Sequence, residues 1–471
     1  MLERFFRFTE NRTTARTEIL AGITTFLTMA YIIVVQPAVL SGRMFGKETG
    51  MDFGAVMTAT CLSAALATAI MALYARYPIA QAPGMGENFF FVFSAIPAAA
   101  AAGFANAWQV ALGAVLISGV LFLVLSLVGV REMIFNAVSP SLKCGIAGGI
   151  GLFIAFIGLQ NAGLILKDPG TAVKLNAHFA SPDLVVFFVG LLVTAVLQAR
   201  KVRGAILWGI VTATLLAVAL KLGLPQLPEA IRAAPLVTES KLITQFQLSS
   251  GLVAAPPSLA PTFMKADLAG ALSPKLLPFV FVFLFMLMFD AIGTLIGVCE
   301  QAGFMRDNRL PRAKQAMVSD AIGTVTGAAL GTSTVTSFIE SAAGVEQGGR
   351  TGLTGLVVAL LFLLALFFSP VITAVGSYPP ITAPALVIVG ALMAQNIGKI
   401  DWKDHTESVP AFLVLVGIPL SFSIADGLTL GFIAYPVFKL CSGRRREIGW
   451  LTYLLAVVLL AYFVLVRSRM R

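Results

Sequence analysis

The chain has 471 residues, of which 58% are hydrophobic and only 12% charged, with a formal net charge of +10. A soluble protein carries about 25% charged residues, so this composition excludes a large soluble enzyme. Apolar runs of about 20 residues recur along almost the whole length, each long enough to cross a bilayer as a helix, and the longest polar-leaning stretch, about 224–273, is too short and too rich in Pro and Ala for a soluble domain.

Residues Met1 to Glu18 are charged and lack a short apolar core with a small-residue cleavage site, so no cleavable signal peptide is expected. The apolar pattern then predicts spans near 18–40, 54–74, 80–99, 107–129, 138–161, 183–199, 204–222, 275–302, 314–330, 334–346, 350–368, 380–396, 409–422 and 424–441. With the N-terminus and its Arg4, Arg7, Arg12 and Arg16 in the cytoplasm, every even-numbered span ends on a cytoplasmic loop. Those loops carry Arg76, Arg131, Arg200 to Arg203, the four basic residues of Arg306 to Lys314, Arg350, Lys399 with Lys403, and Arg444 to Arg446. The loops after spans nine, eleven and thirteen carry no Lys or Arg. The basic excess is therefore a topology signal, with positive loops inside, and not a nucleic-acid surface. A fifteenth apolar run, 450–466, breaks the rule if it crosses, because Arg467, Arg469 and Arg471 would then lie outside. It crosses against the rule, lies along the interface or packs without crossing. The cysteines Cys61, Cys144, Cys299 and Cys441 sit in or at the ends of apolar runs and form neither a metal spacing nor a disulfide framework.

Gly204-Ala205-Ile206-Leu207-Trp208-Gly209-Ile210 in span seven is similar to Gly427-Leu428-Thr429-Leu430-Gly431-Phe432-Ile433 in span fourteen. The loop 223–273 then divides the chain into seven spans and seven. Because seven is odd, the second half starts from the opposite side, which is the plan of an inverted repeat. The expected fold is an all-α polytopic membrane protein.

Two spans are unlike lipid-facing helices. The third opens Ala80-Gln81-Ala82-Pro83-Gly84-Met85-Gly86-Glu87-Asn88-Phe89, and the tenth runs Gly331-Thr332-Ser333-Thr334-Val335-Thr336-Ser337-Phe338-Ile339-Glu340-Ser341. Irregular backbone at membrane depth is tolerated only inside protein or along a water-filled cavity, and paired broken segments in the two halves point to a substrate site. Asp290, alone among charges within Phe281–Val298, joins Glu340 and Glu87 as acids in apolar surroundings. An ionised carboxylate at the bilayer centre costs about 2.5–3.5 kcal/mol, so each needs a substrate, proton, ion or partner. Capping a broken helix is the alternative use, and it is strongest for Glu87. Asp320, in Ser319-Asp320-Ala321-Ile322-Gly323-Thr324, echoes Phe289-Asp290-Ala291-Ile292-Gly293-Thr294; a structural or gating role, such as pairing with a loop Arg, is expected. Asp426 is expected to cap span fourteen. The two histidines, His178 and His405, fall in loops, so carboxylates must handle any proton that drives transport. Carboxylates, Asn88 and the ring faces of Phe89 and Phe338 suit a planar ligand rich in N–H groups.

Taken together, these segments resemble the AzgA-like purine permeases of the nucleobase–cation symporter-2 superfamily over nearly the whole chain. The resemblance rests on Gly22 to Tyr31 in span one, Ala82-Pro83-Gly84-Met85-Gly86 with Asn88 in span three, and Phe289 to Thr294 in span eight. It rests also on Glu340-Ser341-Ala342-Ala343-Gly344 with Gly348 to Thr354 around span ten, and on Ile381-Thr382-Ala383-Pro384-Ala385-Leu386 in span twelve. It implies the UraA-like fold, with fourteen spans as a 7+7 inverted repeat and spans three and ten broken at the midplane. Residues 1–130 and 274–369 would be the two halves of a core domain, 131–222 and 370–447 those of a gate domain, 223–273 an extracytoplasmic loop, and 448–471 a C-terminal hydrophobic segment with a basic tail. It implies proton-coupled uptake of hypoxanthine, guanine or adenine across the inner membrane, no enzyme activity, no cofactor and no metal, and a homodimer through the gate domain. The family's roles fall on Glu340 and Asp290 as base-binding carboxylates, with Asn88, Phe89, Phe338 and Thr294 around them; the acids of this chain that are candidates for carrying the proton are Asp290, Glu340 and Glu87. The chain departs from the family pattern at Glu87, where a neutral residue is expected. Two other readings are an anion transporter of the same fold, similar to sulfate permeases, and a membrane channel or enzyme. Three buried acids disfavour an anionic ligand, and no catalytic triad, metal cluster or nucleotide loop supports an enzyme.

Overall fold

The computed structural model describes residues 2–128, 139–226, 228–249, 251–304 and 310–465. Arg131, Arg306, Arg309, Arg467, Arg469 and Arg471, which enter the charge pattern, lie outside the described residues, as do the side chains of Phe289 and Ile292.

The chain is mostly helical, and eight of the described helical stretches are long and apolar enough to cross a membrane: Ala15–Leu40, Phe53–Ala75, Ala107–Val128, Pro140–Asn161, Pro182–Ala199, Ala205–Gln226, Gly352–Gly376 and Pro379–Lys399. Several of them begin at a side-chain cap. Thr14, Asp52, Ser139 and Ser181 each accept a backbone N–H from the first turn, and Pro140 and Pro182 open their helices where no amide partner is needed. Glu18, fully buried, caps a helix other than its own. It accepts the Arg350 N–H at 2.8 Å, the Thr351 N–H at 3.2 Å and the Thr354 hydroxyl at 2.6 Å, where its charge meets the positive end of the helix beginning at Gly352. The Gly348 to Thr354 motif thus folds around a buried acid from span one.

The expectation of an all-helical chain is corrected at four short strands. Ile165–Asp168 (β2) and Ala172–Leu175 (β3) form a hairpin between spans five and six. Gln81–Pro83 (β1) and Val335–Ser337 (β4) pair with each other. Pro83 lacks an amide hydrogen and β4 is rich in β-branched and hydroxyl residues, so neither segment sustains a helix.

The spans pack in two groups. Ala107–Val128 lies against Leu277–Gln301 and Ala313–Leu330, and Gly352–Ala365 against Ala15–Met29 and Phe53–Ile70. In the second group Pro140–Asn161 lies against Pro379–Ala394 and His405–Ser421, which also packs on Ile424–Cys441, and Pro182–Ala199 lies against Ala205–Gly223. Small residues set the closest approach: a Cβ at Gly151 would come within 2.7 Å of the Gly390 carbonyl oxygen, and one at Gly145 within 2.7 Å of that of Ala411. The loop after span seven is tied to both groups. Asp183 accepts the Lys241 and Leu242 N–H groups at 2.9 and 3.1 Å and the Tyr378 hydroxyl at 2.6 Å. Further on, the Ala254, Met264 and Asp267 N–H groups bond the carbonyls of Phe367, Ala329 and Gln109.

The C-terminal run forms the helix Trp450–Leu465, which packs on Ile424–Cys441 and Leu277–Gln301. Thr452 and Leu459 are buried, while Trp450, Leu454, Val457 and Leu460 are exposed. Ahead of it lies an ion cluster. Lys439, 1% exposed, reaches Glu447 at 2.7 Å and Glu407 at 2.9 Å, and Arg444 reaches Asp404 at 2.6 Å. The Thr406 hydroxyl and the Arg444 guanidinium hold the Asp404 carboxyl down to about 2. Lys439→Met strands Glu407 without its cation, at a cost of about 3–5 kcal/mol. The expected result is a lower melting temperature in detergent, partly restored by adding Glu407→Gln; equal melting of wild type and K439M would show the cluster to be dispensable.

Candidate functional site

The two broken spans meet as a three-residue antiparallel ladder. Gln81 pairs with Ser337, Ala82 with Thr336 and Pro83 with Val335, and all six residues are buried. The ladder is extended by the Gly84 N–H donating to the Thr334 carbonyl at 3.1 Å and the Phe338 N–H to that of Ala80 at 2.9 Å. A ladder this short leaves backbone groups over, and in apolar surroundings each must find a protein partner. Two threonines supply them. Thr68 accepts the Gln81 N–H at 2.8 Å and donates to the Gln81 carbonyl at 3.1 Å. Thr324 accepts the Val335 N–H at 3.2 Å and donates to the Val335 carbonyl at 2.8 Å. Each strand leads into a six-residue helix, Met85–Phe90 after Gly84 and Ser341–Glu346 after Glu340.

Four carboxyls surround this crossing. Asp290, on the helix Leu277–Gln301, is within electrostatic reach of Glu87, Glu340 and Asp320, and its carboxyl lies against the Thr336 hydroxyl of β4. Glu340 precedes the helix Ser341–Glu346 and accepts the Tyr31 hydroxyl at 2.8 Å. Glu87, 3% exposed, sits in the first turn of Met85–Phe90 with its carboxyl folded over Gly84, which is the position of a capping acid. Asp320 accepts the Gln81 amide at 2.5 Å and the Ser337 hydroxyl at 2.9 Å, at the Gln81–Ser337 end of the ladder. Among the described residues none of the four forms an ion pair with Lys or Arg. Asp290 and Glu340 keep partial exposure, whereas Glu87 and Asp320 are buried. Carboxyls gathered without a cation are ready acceptors for a proton or for the N–H groups of a neutral ligand.

The structure thus brings Asp290, Glu340 and Glu87 together. Thr294 lies one turn beyond Asp290, and Phe338 two residues before Glu340; both are nearly buried. Asn88 and Phe89 have partners of their own. Asn88 and Gln36 exchange side-chain amide bonds, and the Asn88 oxygen also takes the Ser333 hydroxyl. Gln36 donates further to Thr332 at 2.9 Å. Phe89 enters an aromatic cluster, its ring parallel to Phe93 at 6.1 Å between centroids and edge-on to Phe153 at 6.1 Å. Asp320 pairs with Gln81 and Ser337, and among the described residues with no loop Arg.

Sequence reasoning passed over Tyr31 and Gln36. A signal existed for both: a tyrosine hydroxyl or a glutamine amide inside an apolar run must find a partner.

Known proteins with the same sequence pattern are permeases. The model of the Xan_ur_permease family, described as a permease family, matches residues 16–430. A putative permease of Methanocaldococcus jannaschii is 48% identical over 98% of each chain. The guanine/hypoxanthine permease PbuG of Bacillus subtilis is 43% identical over 99% of this chain and 100% of its own length. The adenine permease AdeP of Escherichia coli is 40% identical over 99% and 96%. Two solved structures share the fold: the transmembrane domain of the cyanobacterial bicarbonate transporter BicA, with a TM-score of 0.58 at 16% identity over 86% of this chain and 96% of that one, and the murine anion transporter Slc26a9, with a TM-score of 0.57 at 11% identity over 91% and 68%. The chain therefore belongs to the Xan_ur_permease family, as a multi-pass membrane transporter of the nucleobase–cation symporter-2 type.

Proposed function

We propose that this protein imports purine nucleobases — hypoxanthine, guanine or adenine — by proton symport with alternating access. The observation that carries the reading is the cluster of Asp290, Glu340 and Glu87 beside the crossing of the two broken spans, unpaired with any described cation. Relatives at 40–43% identity over nearly the whole chain are named for guanine, hypoxanthine and adenine. Glu340 and Asp290 accept the base's N–H groups, with Phe338 and Thr294 beside them, while Asn88 and Phe89 act one layer back by holding the broken segments. Carboxyls also carry the proton. One proton moving through about 100 mV supplies about 2.3 kcal/mol, enough for roughly 50-fold accumulation of a neutral base.

The antiparallel pairing of the two broken segments, one from each half of the chain and each held at its backbone by one threonine, supports a 7+7 inverted repeat of fourteen spans. The two packing groups support a core domain of spans 1–4 and 8–11 moving against a gate domain of spans 5–7 and 12–14. The positive loops favour a cytoplasmic N-terminus in the inner membrane, and a homodimer through the gate domain completes the proposal. Likeness to BicA and Slc26a9 speaks for the fold alone, and acids without cations disfavour an anionic substrate.

The test is uptake of radiolabelled hypoxanthine, guanine, adenine, xanthine and uracil in cells lacking their own permeases, with and without a protonophore. Accumulation of a purine that collapses with the protonophore is expected; accumulation of none of the five overturns the reading. Asp290→Asn is expected to weaken binding about tenfold or to uncouple uptake from the proton gradient. Wild-type, protonophore-sensitive uptake by D290N would make Asp290 structural.

A further inference from the structure

We propose that Tyr31 is the positioning residue that orients Glu340 and, by occupying one of its carboxylate oxygens, sets the balance between bases that offer one N–H and bases that offer two side by side. Tyr31 follows the break in span one between the helices Ala15–Met29 and Ile32–Leu40. It is 2% exposed, and its hydroxyl donates to Glu340 Oε1 at 2.8 Å. One turn earlier, the Thr28 hydroxyl lies 3.4 Å from the Glu340 carbonyl oxygen. No other side chain of the described residues bonds the Glu340 carboxylate, which stays partly accessible. A bond from a neutral hydroxyl to an ionised acceptor is short and strong. In apolar surroundings the tyrosine has no alternative partner, so the rotamer of Glu340 is held and Oε2 is left for the ligand.

The proposal rests on the reading that Glu340 binds the base. Hypoxanthine offers N1–H alone on that edge. Guanine offers N1–H beside its 2-amino group, a fork matching both oxygens of a carboxylate. The Tyr31 hydroxyl takes one lone pair of Oε1 and makes that oxygen the weaker acceptor of the two, so the site favours the single donor. Removing the hydroxyl releases Oε1. Hypoxanthine then loses a pre-oriented acceptor, while guanine recovers a second bond.

The experiment measures KM and Vmax of hypoxanthine and guanine uptake for wild type, Y31F, Y31L and E340Q at equal membrane abundance, with Kd on purified protein in detergent. In Y31F the KM for hypoxanthine is expected to rise about tenfold at unchanged Vmax, the loss of one charge-assisted bond. The KM for guanine should change less, moving the ratio severalfold towards guanine, and Y31L, which also lacks the donor, should move it the same way. Unchanged KM values, equal losses for both bases, or a fall in Vmax alone would overturn the proposal. If E340Q loses binding while Y31F and Y31L bind as wild type, only the role of Tyr31 fails. If E340Q binds as wild type, the assignment of Glu340 fails and that of Tyr31 with it.

Discussion

Replacing Glu340 by Gln is expected to abolish base binding while leaving the fold intact. The substitution keeps the side chain's shape and keeps one oxygen for the Tyr31 hydroxyl, which now lies 2.8 Å from Oε1. What it removes is the charge and one acceptor. The amide nitrogen that replaces Oε2 is a donor facing the donors of the base, so an attraction becomes a repulsion. A hydrogen bond to a charged group contributes about 1.5–3 kcal/mol, and mismatching its partner adds about 1–3 kcal/mol. Together these weaken binding by roughly 100-fold or more. Calorimetric titration of hypoxanthine and guanine into purified E340Q, beside wild type of equal melting temperature, measures the loss. An unchanged Kd would remove Glu340 from the site.

Much of this site was legible in the sequence because charge and backbone chemistry are local signals. Asp290 and Glu340 stand out as acids in apolar runs, and the Pro-Gly turn at Pro83 and the hydroxyl run from Thr332 to Ser337 stand out as segments that cannot be lipid-facing helices. Their meeting was inferred from corresponding positions in the two halves, and they do meet, residue 82 against residue 336. The form of the meeting was not legible. Three-residue strands carry too few residues for a period-two pattern, and each is held by a threonine on another helix.

Side-chain direction was the other unreadable quantity. Asn88 and Phe89 follow Glu87 directly, yet Asn88 turns to Gln36 and Phe89 to Phe93 and Phe153. In a six-residue helix such as Met85–Phe90, successive residues point about 100° apart. Only the neighbours in space decide which of them faces the acids. The same holds for Asp320. Its echo of the Asp290 motif is plain, but its partner Gln81 is 239 residues away along the chain.

Asp320 therefore carries the second large prediction. It is 1% exposed, and one of its oxygens accepts both the Gln81 amide at 2.5 Å and the Ser337 hydroxyl at 2.9 Å. Those two residues are a register pair, one from each strand. One carboxyl oxygen thus joins β1 to β4 from the side, and Thr68 and Thr324 clamp the backbone nearby. Asp320→Ala leaves two buried donors without an acceptor, each costing about 1–3 kcal/mol, so a loss of about 2–6 kcal/mol is expected. The ladder positions Glu340 three residues beyond Ser337 and Glu87 four beyond Pro83, so loosening it moves both acids. D320A should melt earlier in detergent and transport poorly, with the larger loss in substrate affinity. Asp320→Asn keeps an acceptor for both donors and should recover most of the stability. This contrast separates the role of the acceptor from that of the charge. If D320A melts and transports as wild type, the carboxyl does not hold the crossing. If D320N is as stable as wild type yet fails in uptake, Asp320 acts through its acidity as well as through its hydrogen bonds.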